Sequence, residues 1–139
     1  MKYKDLNNYI EDNGLLKTNV KSAPGIYVIT IDGYVAAIRD SFHNVRQDCG
    51  QVLYEMENAV LTQRYEYLLL YAAKIGGHDI DCVGLEYLPK EQLTKRRIAL
   101  QQLYEPFLDK FRYSENPYAF KIEDLIHSLK YTITQKEIE

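Results

Sequence analysis

Tryptophan is absent from this 139-residue chain, cysteine occurs twice, and no apolar run approaches the roughly 18 residues that a membrane-spanning helix needs. The opening stretch, Met1 to Tyr9, lacks the apolar core of a secretory signal, so a water-soluble, cytoplasmic protein with no membrane partner is expected. Cys49 and Cys82 are too far apart in sequence to form a metal-knuckle pair, and without a secretory signal they read as reduced packing residues. His43, His78 and His127 fall in separate segments without metal-ligand spacing, and no metal or other cofactor is expected from them. A strong excess of either sign of charge is also missing. A formal net charge of −3 gives no overall attraction to a polyanion, so any nucleic-acid contact would need a local basic face.

What the chain does have is 46% apolar and 12% aromatic residues, enough for one core and too little for two, so a single domain spanning 1–139 is expected. Its 13 tyrosines include Tyr65, Tyr67 and Tyr71, which could offer a stacking surface; packing into the core with a wet hydroxyl is the expected role.

Leu6, Tyr9 and Ile10 recur at helical spacing before Asn13-Gly14, which predicts a short helix over 2–12. After Pro24-Gly25, the β-branched and aromatic run Ile26 to Ile31 predicts a strand, Asp32-Gly33 a tight hairpin turn, and Tyr34 to Ile38 the returning strand. From Asp40 the period changes: Val45, Cys49, Val52, Leu53 and Met56 predict a helix beginning near Ser41 to Asn44. A second helix follows, with Leu61, Tyr65, Leu68, Leu69 and Ala72 as its buried face and Gly76-Gly77 as its end. Ile80 to Leu88 reads as a third strand, and Glu91 to Tyr104 as a helix buried through Leu93, Ile98 and Leu100. A loop over 109–117 and a last amphipathic helix over 118–131 complete an α/β fold, a small three-stranded sheet flanked by helices with additional helices at both ends.

Gly25-Ile26-Tyr27 on the first strand, the Asp-Gly turn, the second strand, and then Ser41-Phe42-His43-Asn44-Val45-Arg46 resemble the opening of a GIY-YIG nuclease domain. The resemblance continues through Leu69 to Gly77, a helix ending in glycine, and through Tyr104-Glu105-Pro106-Phe107-Leu108-Asp109, so that it covers about 25–117. Such nucleases cleave a phosphodiester with a divalent cation held by a helical Glu, together with tyrosines, an Arg and a loop Asn around the phosphate. The metal and the Arg offset developing charge, and a Tyr or metal-bound water handles proton and nucleophile.

On that resemblance Tyr27 and Arg46 are remnants of the catalytic set, with Gln47 the alternative match for the Arg. The second triplet falls on Ala37-Ile38-Arg39, where a methyl replaces the phenol and a cation replaces a glycine. The metal-binding Glu falls on Arg97 and the loop Asn on Asp109. A cation at 97 opposes metal binding, and Arg97 with Asp109 is expected to form an internal ion pair in the metal's place. The resemblance therefore implies a catalytically degenerate protein that binds a macromolecule, with a protein partner favoured by the net negative charge and an accessory or counter-defence role suited to its size. The competing reading is an active endonuclease using Mg²⁺ or Mn²⁺ on relocated ligands, Glu86, Glu91 or Asp109. Lys95-Arg96-Arg97 is the candidate nucleic-acid contact, set against the commoner role of a charge run as a solvated helix face.

Overall fold

A computed structural model describes residues 20–59 and 65–110, together with 126, 127, 129 and 131. The expected helix over 2–12 lies outside the described residues, as does most of that over 118–131, of which Ile126 and His127 are helical.

Strand β1 (Gly25–Ile31) is buried along its whole length, as expected for an apolar run covered on both faces. It turns through Asp32 and Gly33, both at positive φ (53° and 83°), into β2 (Tyr34–Ser41). Helices α1 (Val45–Glu57) and α2 (Tyr65–Ile75) follow, then β3 (Ile80–Tyr87), α3 (Lys90–Tyr104) and a 3₁₀ turn (Phe107–Lys110). The sheet is antiparallel with β1 in the middle, in the order β2-β1-β3. The three-stranded α/β architecture agrees with the sequence reading.

Alternation along the strands separates two cores. Tyr27, Ile29 and Ile31 face α1 and α2, joining Val45, Cys49, Val52, Leu53, Leu70 and Ala73. Ile26, Val28, Val35, Ile38, Val83 and Leu85 face the other way, against Leu93 and Leu100 of α3. The result is a sheet sandwiched between α1 and α2 on one side and α3 on the other.

Three expectations need correcting. β2 continues past Ile38 through Ser41, because Arg39, Asp40 and Ser41 pair in register with Tyr27, Ile26 and Gly25. On α2, Leu69 is buried and Leu68 partly buried against the core as expected, Leu61 and the Tyr65 side chain lie outside the described residues, and Ala72 is exposed; Glu66, Tyr67, Leu70 and Ala73 are buried as well, so that an acid turns inward. On α3, Ile98 is 44% exposed, and burial runs through Leu93 and Leu100 alone. The termini of the helices behave as expected. Asn44 caps α1 by accepting the Gln47 N–H at 3.0 Å, and Gly77 at φ 97° follows the end of α2.

β2 is an outer strand, and its free edge is covered. The register slips opposite Ala36, so Val35 and Ile38 both turn their N–H groups outward. The Val35 N–H donates to the Tyr131 carbonyl at 2.7 Å and the Ile38 N–H to Asp109 Oδ2 at 2.8 Å. Gln101 Nε2 donates to the Ile38 carbonyl at 2.8 Å. Two side chains thus stand in for a neighbouring strand, which blunts an edge that would otherwise invite pairing.

Candidate functional site

Tyr27 and Arg39 are cross-strand partners on β1 and β2, so their side chains share the face that looks onto α1 and α2. Both are buried, at 6% and 4% exposure. Arg39 can occupy that position because Glu66 on α2, itself buried, ion-pairs with its Nη2. Arg39 Nε faces Asp109 Oδ1 at 3.6 Å, close enough for charge attraction and too long for a hydrogen bond.

The electrostatics follow from burial. Desolvation opposes the Arg39 charge, but Glu66, with help from Tyr27, Asp109 and Tyr67, outweighs it and holds the guanidinium more firmly protonated than usual. Burial also pushes the Tyr27 phenol well up, reinforced by Cys82 and only partly opposed by Arg39. Tyr27 is therefore a neutral phenol at physiological pH and has no ready access to a general-base role.

Arg97 lies on the opposite side of the sheet. Asp40 follows Arg39 on β2 and so points toward α3, where Arg97 Nε donates to its Oδ2 at 2.7 Å. Arg97 Nη1 donates to Gln101 Oε1 at 3.0 Å, and Gln101 Nε2 donates to Asp109 Oδ2 at 3.0 Å. The expected Arg97–Asp109 ion pair is not formed: Asp40 holds Arg97, Asp109 faces Arg39 and the β2 edge, and the Gln101 amide bridges the two. A continuous polar chain, Glu66–Arg39–Asp109–Gln101–Arg97–Asp40, thus wraps the edge of β2 from one face to the other.

The remaining candidates scatter. Ala37 is fully buried opposite Ile29, in the apolar core. Arg46 occupies the second position of α1, half-buried, and among the described residues no hydrogen bond or ion pair joins its side chain to Tyr27 or Arg39. Arg96 donates from Nε to both carboxylate oxygens of Glu86, at 3.0 and 2.9 Å, and this bonding raises its pKa. With Arg97 on Asp40, two of the run's three charges are matched by acids, Arg96 while itself exposed, and among the described residues no ion pair is seen for the exposed Lys95. Tyr67 is a core residue and Tyr71 packs half-buried against it, in line with the packing role.

The resemblance implies a metal, and the described residues do not fit one. Glu86 is engaged by Arg96, Glu91 is exposed on α3, and Asp109 accepts the Ile38 N–H, so the three relocated ligands do not converge. Among the described residues no three His, Cys, Asp or Glu side chains are grouped as a metal would require. Two openings flank this region. A groove of about 640 Å³ runs between the end of β3 and α3, lined by Leu88, Glu91, Gln92, Lys95 and Ala99 with the Arg96–Glu86 pair, and a smaller one of about 380 Å³ lies beside Gln101, Glu105, Pro106 and Asp109. Mixed charge lines the larger one and neutral amides with acids the smaller, so neither presents a uniformly basic wall.

Sequence reasoning counts Asp40 and Glu66 only as acids that cancel the field of nearby arginines; it misses the pairing of Glu66 with Arg39 and of Asp40 with Arg97, and passes over Gln101. A signal existed for the first pairing: Glu66 is a lone acid beside Tyr67, Leu69 and Leu70, and Arg39 is a lone cation after an apolar strand, and such opposite charges in apolar runs find each other when buried. No described helix is long and apolar enough to cross a membrane. Comparison with family models, with curated proteins and with solved structures finds no match to this chain.

Proposed function

We propose that this chain is a catalytically degenerate GIY-YIG-like protein that acts by binding a macromolecular partner, with a protein favoured over nucleic acid. One observation carries the reading: Arg97, at the position where the resemblance implies a metal-holding Glu, is bound to Asp40 and Gln101 on the sheet face opposite Tyr27. The groups that would have to meet around a phosphate are divided by the sheet itself. Matching of Arg96 and Arg97 by acids weakens the basic face that nucleic acid would need. Exposed Ile98 and Leu103 on α3, at 44% and 64%, offer apolar anchors of the kind protein partners use. An accessory or counter-defence role is the biological setting proposed for it.

The test is plasmid nicking in Mg²⁺ or Mn²⁺ beside retention on immobilised duplex DNA at graded salt. No nicking above the metal-only control and no salt-sensitive retention are expected. Nicking that disappears in Tyr27→Phe would overturn the degenerate reading in favour of a metal-dependent endonuclease, and salt-sensitive retention would replace the protein partner with a nucleic acid.

A further inference from the structure

Helix α1 lies over β3 on the Tyr27 side of the sheet, and each element brings a free cysteine to that side, Cys49 and Cys82. Both have 0% exposure, both belong to the same apolar cluster where α1 packs on β3, and Cys82 is the neighbouring group that acts most strongly on the Cys49 thiol. They are the only two cysteines in the chain, so oxidation at either sulfur has one intramolecular partner available to it.

We propose that Cys49 and Cys82 form a peroxide-sensitive dithiol that closes into a disulfide joining α1 to β3. One thiolate attacks hydrogen peroxide, the O–O bond breaks, and hydroxide leaves to be protonated as water. The resulting sulfenic acid is attacked by the second thiolate: the S–S bond forms, the S–O bond breaks, and a second water departs. Two electrons leave the sulfur pair and reduce one peroxide to two waters, and the two thiol protons end in those waters.

The surroundings set the rate. Burial above all, then the neighbouring Cys82, Asp48 and Asp81, hold the Cys49 thiol well above its ordinary value, so thiolate forms when α1 lifts locally from β3. Closure is therefore slow in the native state and accelerates when the contact loosens. Once formed, the cross-link ties α1 down over Tyr27 and restricts the unfolded chain, which raises the thermal midpoint.

The experiment treats the full-length protein with hydrogen peroxide, unfolds it, alkylates with iodoacetamide, and reads intact mass and peptide maps alongside thermal melting. The expected product is a monomer lighter by two hydrogens that takes up no alkyl group. Its map contains a peptide linking Cys49 to Cys82, its thermal midpoint rises by several degrees, and dithiothreitol reverses all three changes. Sub-denaturing urea should speed the reaction severalfold. Two alkylated cysteines after peroxide, cross-links found only between chains, or sulfinic acid without the disulfide would each overturn the proposal. Cys82→Ala, checked for native circular dichroism, should lose the mass change. The deciding measurement uses the unsubstituted chain, so it stands even where that variant fails to fold.

Discussion

Arg39 on β2 and Glu66 on α2 form an ion pair inside the protein, with 5% and 8% of their side chains exposed. Neither charge would be tolerated there alone, because transfer of an isolated ion from water costs several kcal/mol even after relaxation. Together they fix the rotation of α2 against the sheet and explain why an acid in that helix turns inward.

Removing one partner should therefore cost far more than a surface ion pair would. Glu66→Ala is expected to lose about 3–5 kcal/mol, since it leaves the guanidinium facing Asp109 across a gap longer than a hydrogen bond. Glu66→Gln, which keeps an acceptor, should lose less. Urea denaturation followed by circular dichroism measures both, and a loss below about 1 kcal/mol for the alanine variant would mean that the pair is no more than a surface contact in its energetics.

Arg97 is a different case, at 28% exposure with Asp40 at 18%. Arg97→Ala should cost roughly 1 kcal/mol, and Arg97→Glu somewhat more, because it sets an acid against Asp40. The double variant Arg97→Glu with Asp109→Asn restores the side-chain types that the resemblance implies. It is nonetheless expected to show no tight Mg²⁺ or Mn²⁺ site by calorimetric titration, since residue 97 sits across the sheet from Tyr27. A tight, stoichiometric metal-binding isotherm would refute the divided-site interpretation.

Local chemistry made much of the fold legible. Asp32-Gly33 announced a turn requiring positive φ, the stretch Ser41 to Asn44 announced a helix start, which Asn44 turns out to cap, and Gly76-Gly77 ended a helix, each for a reason contained within a few residues. Arg39 and Asp40 hid the end of β2, because two adjacent charges read as the close of a strand when no partner is in view. Their partners, Glu66 and Arg97, come from elements 27 and 57 residues away. The same distance effect undid the Arg97–Asp109 pairing, which assumed that both residues faced one pocket. Sheet alternation sends positions 39 and 40 to opposite faces, and only the tertiary arrangement assigns an acid to each arginine.

The glycine that opens the motif also has a packing reason of its own. A Cβ on Gly25 would stand 2.3 Å from the Glu86 carbonyl oxygen, a backbone atom of β3 that can move only if the β1–β3 pairing moves. At Gly84 the obstacle is the Tyr87 ring, with its hydroxyl 2.2 Å from the added carbon; that ring can swing away at the loss of the hydrogen bond it accepts from the Lys21 N–H. Gly25→Ala is expected to cost about 3 kcal/mol or more, at the upper end for overpacking, and Gly84→Ala about 1–2 kcal/mol. Chemical denaturation of the two variants checks the order, and a larger loss at Gly84 would show that the β1–β3 pairing yields more easily than the tyrosine.

The hairpin turn carries an acid-sensitive contact. Asp32 Oδ2 lies 2.7 Å from His78 Nδ1 and Oδ1 accepts the Asp79 N–H at 2.8 Å, tying the β1–β2 turn to the loop before β3. The His78 hydrogen bond first, and the Asp79 N–H second, hold the Asp32 carboxyl below its ordinary value. A carboxylate depressed in the folded state contributes stability that is fully present above its unfolded value, near about 3.9, and is lost as pH falls through the folded one. Asp32→Asn isolates this contribution, because Asn accepts the positive φ of 53° at that position and changes only the charge and one acceptor. The stability difference between wild type and Asp32→Asn should shrink steadily as the pH falls below about 4. A difference that stays constant down to the acid transition would show that Asp32 titrates alike in the folded and unfolded chain, and that the turn is held by its backbone geometry alone.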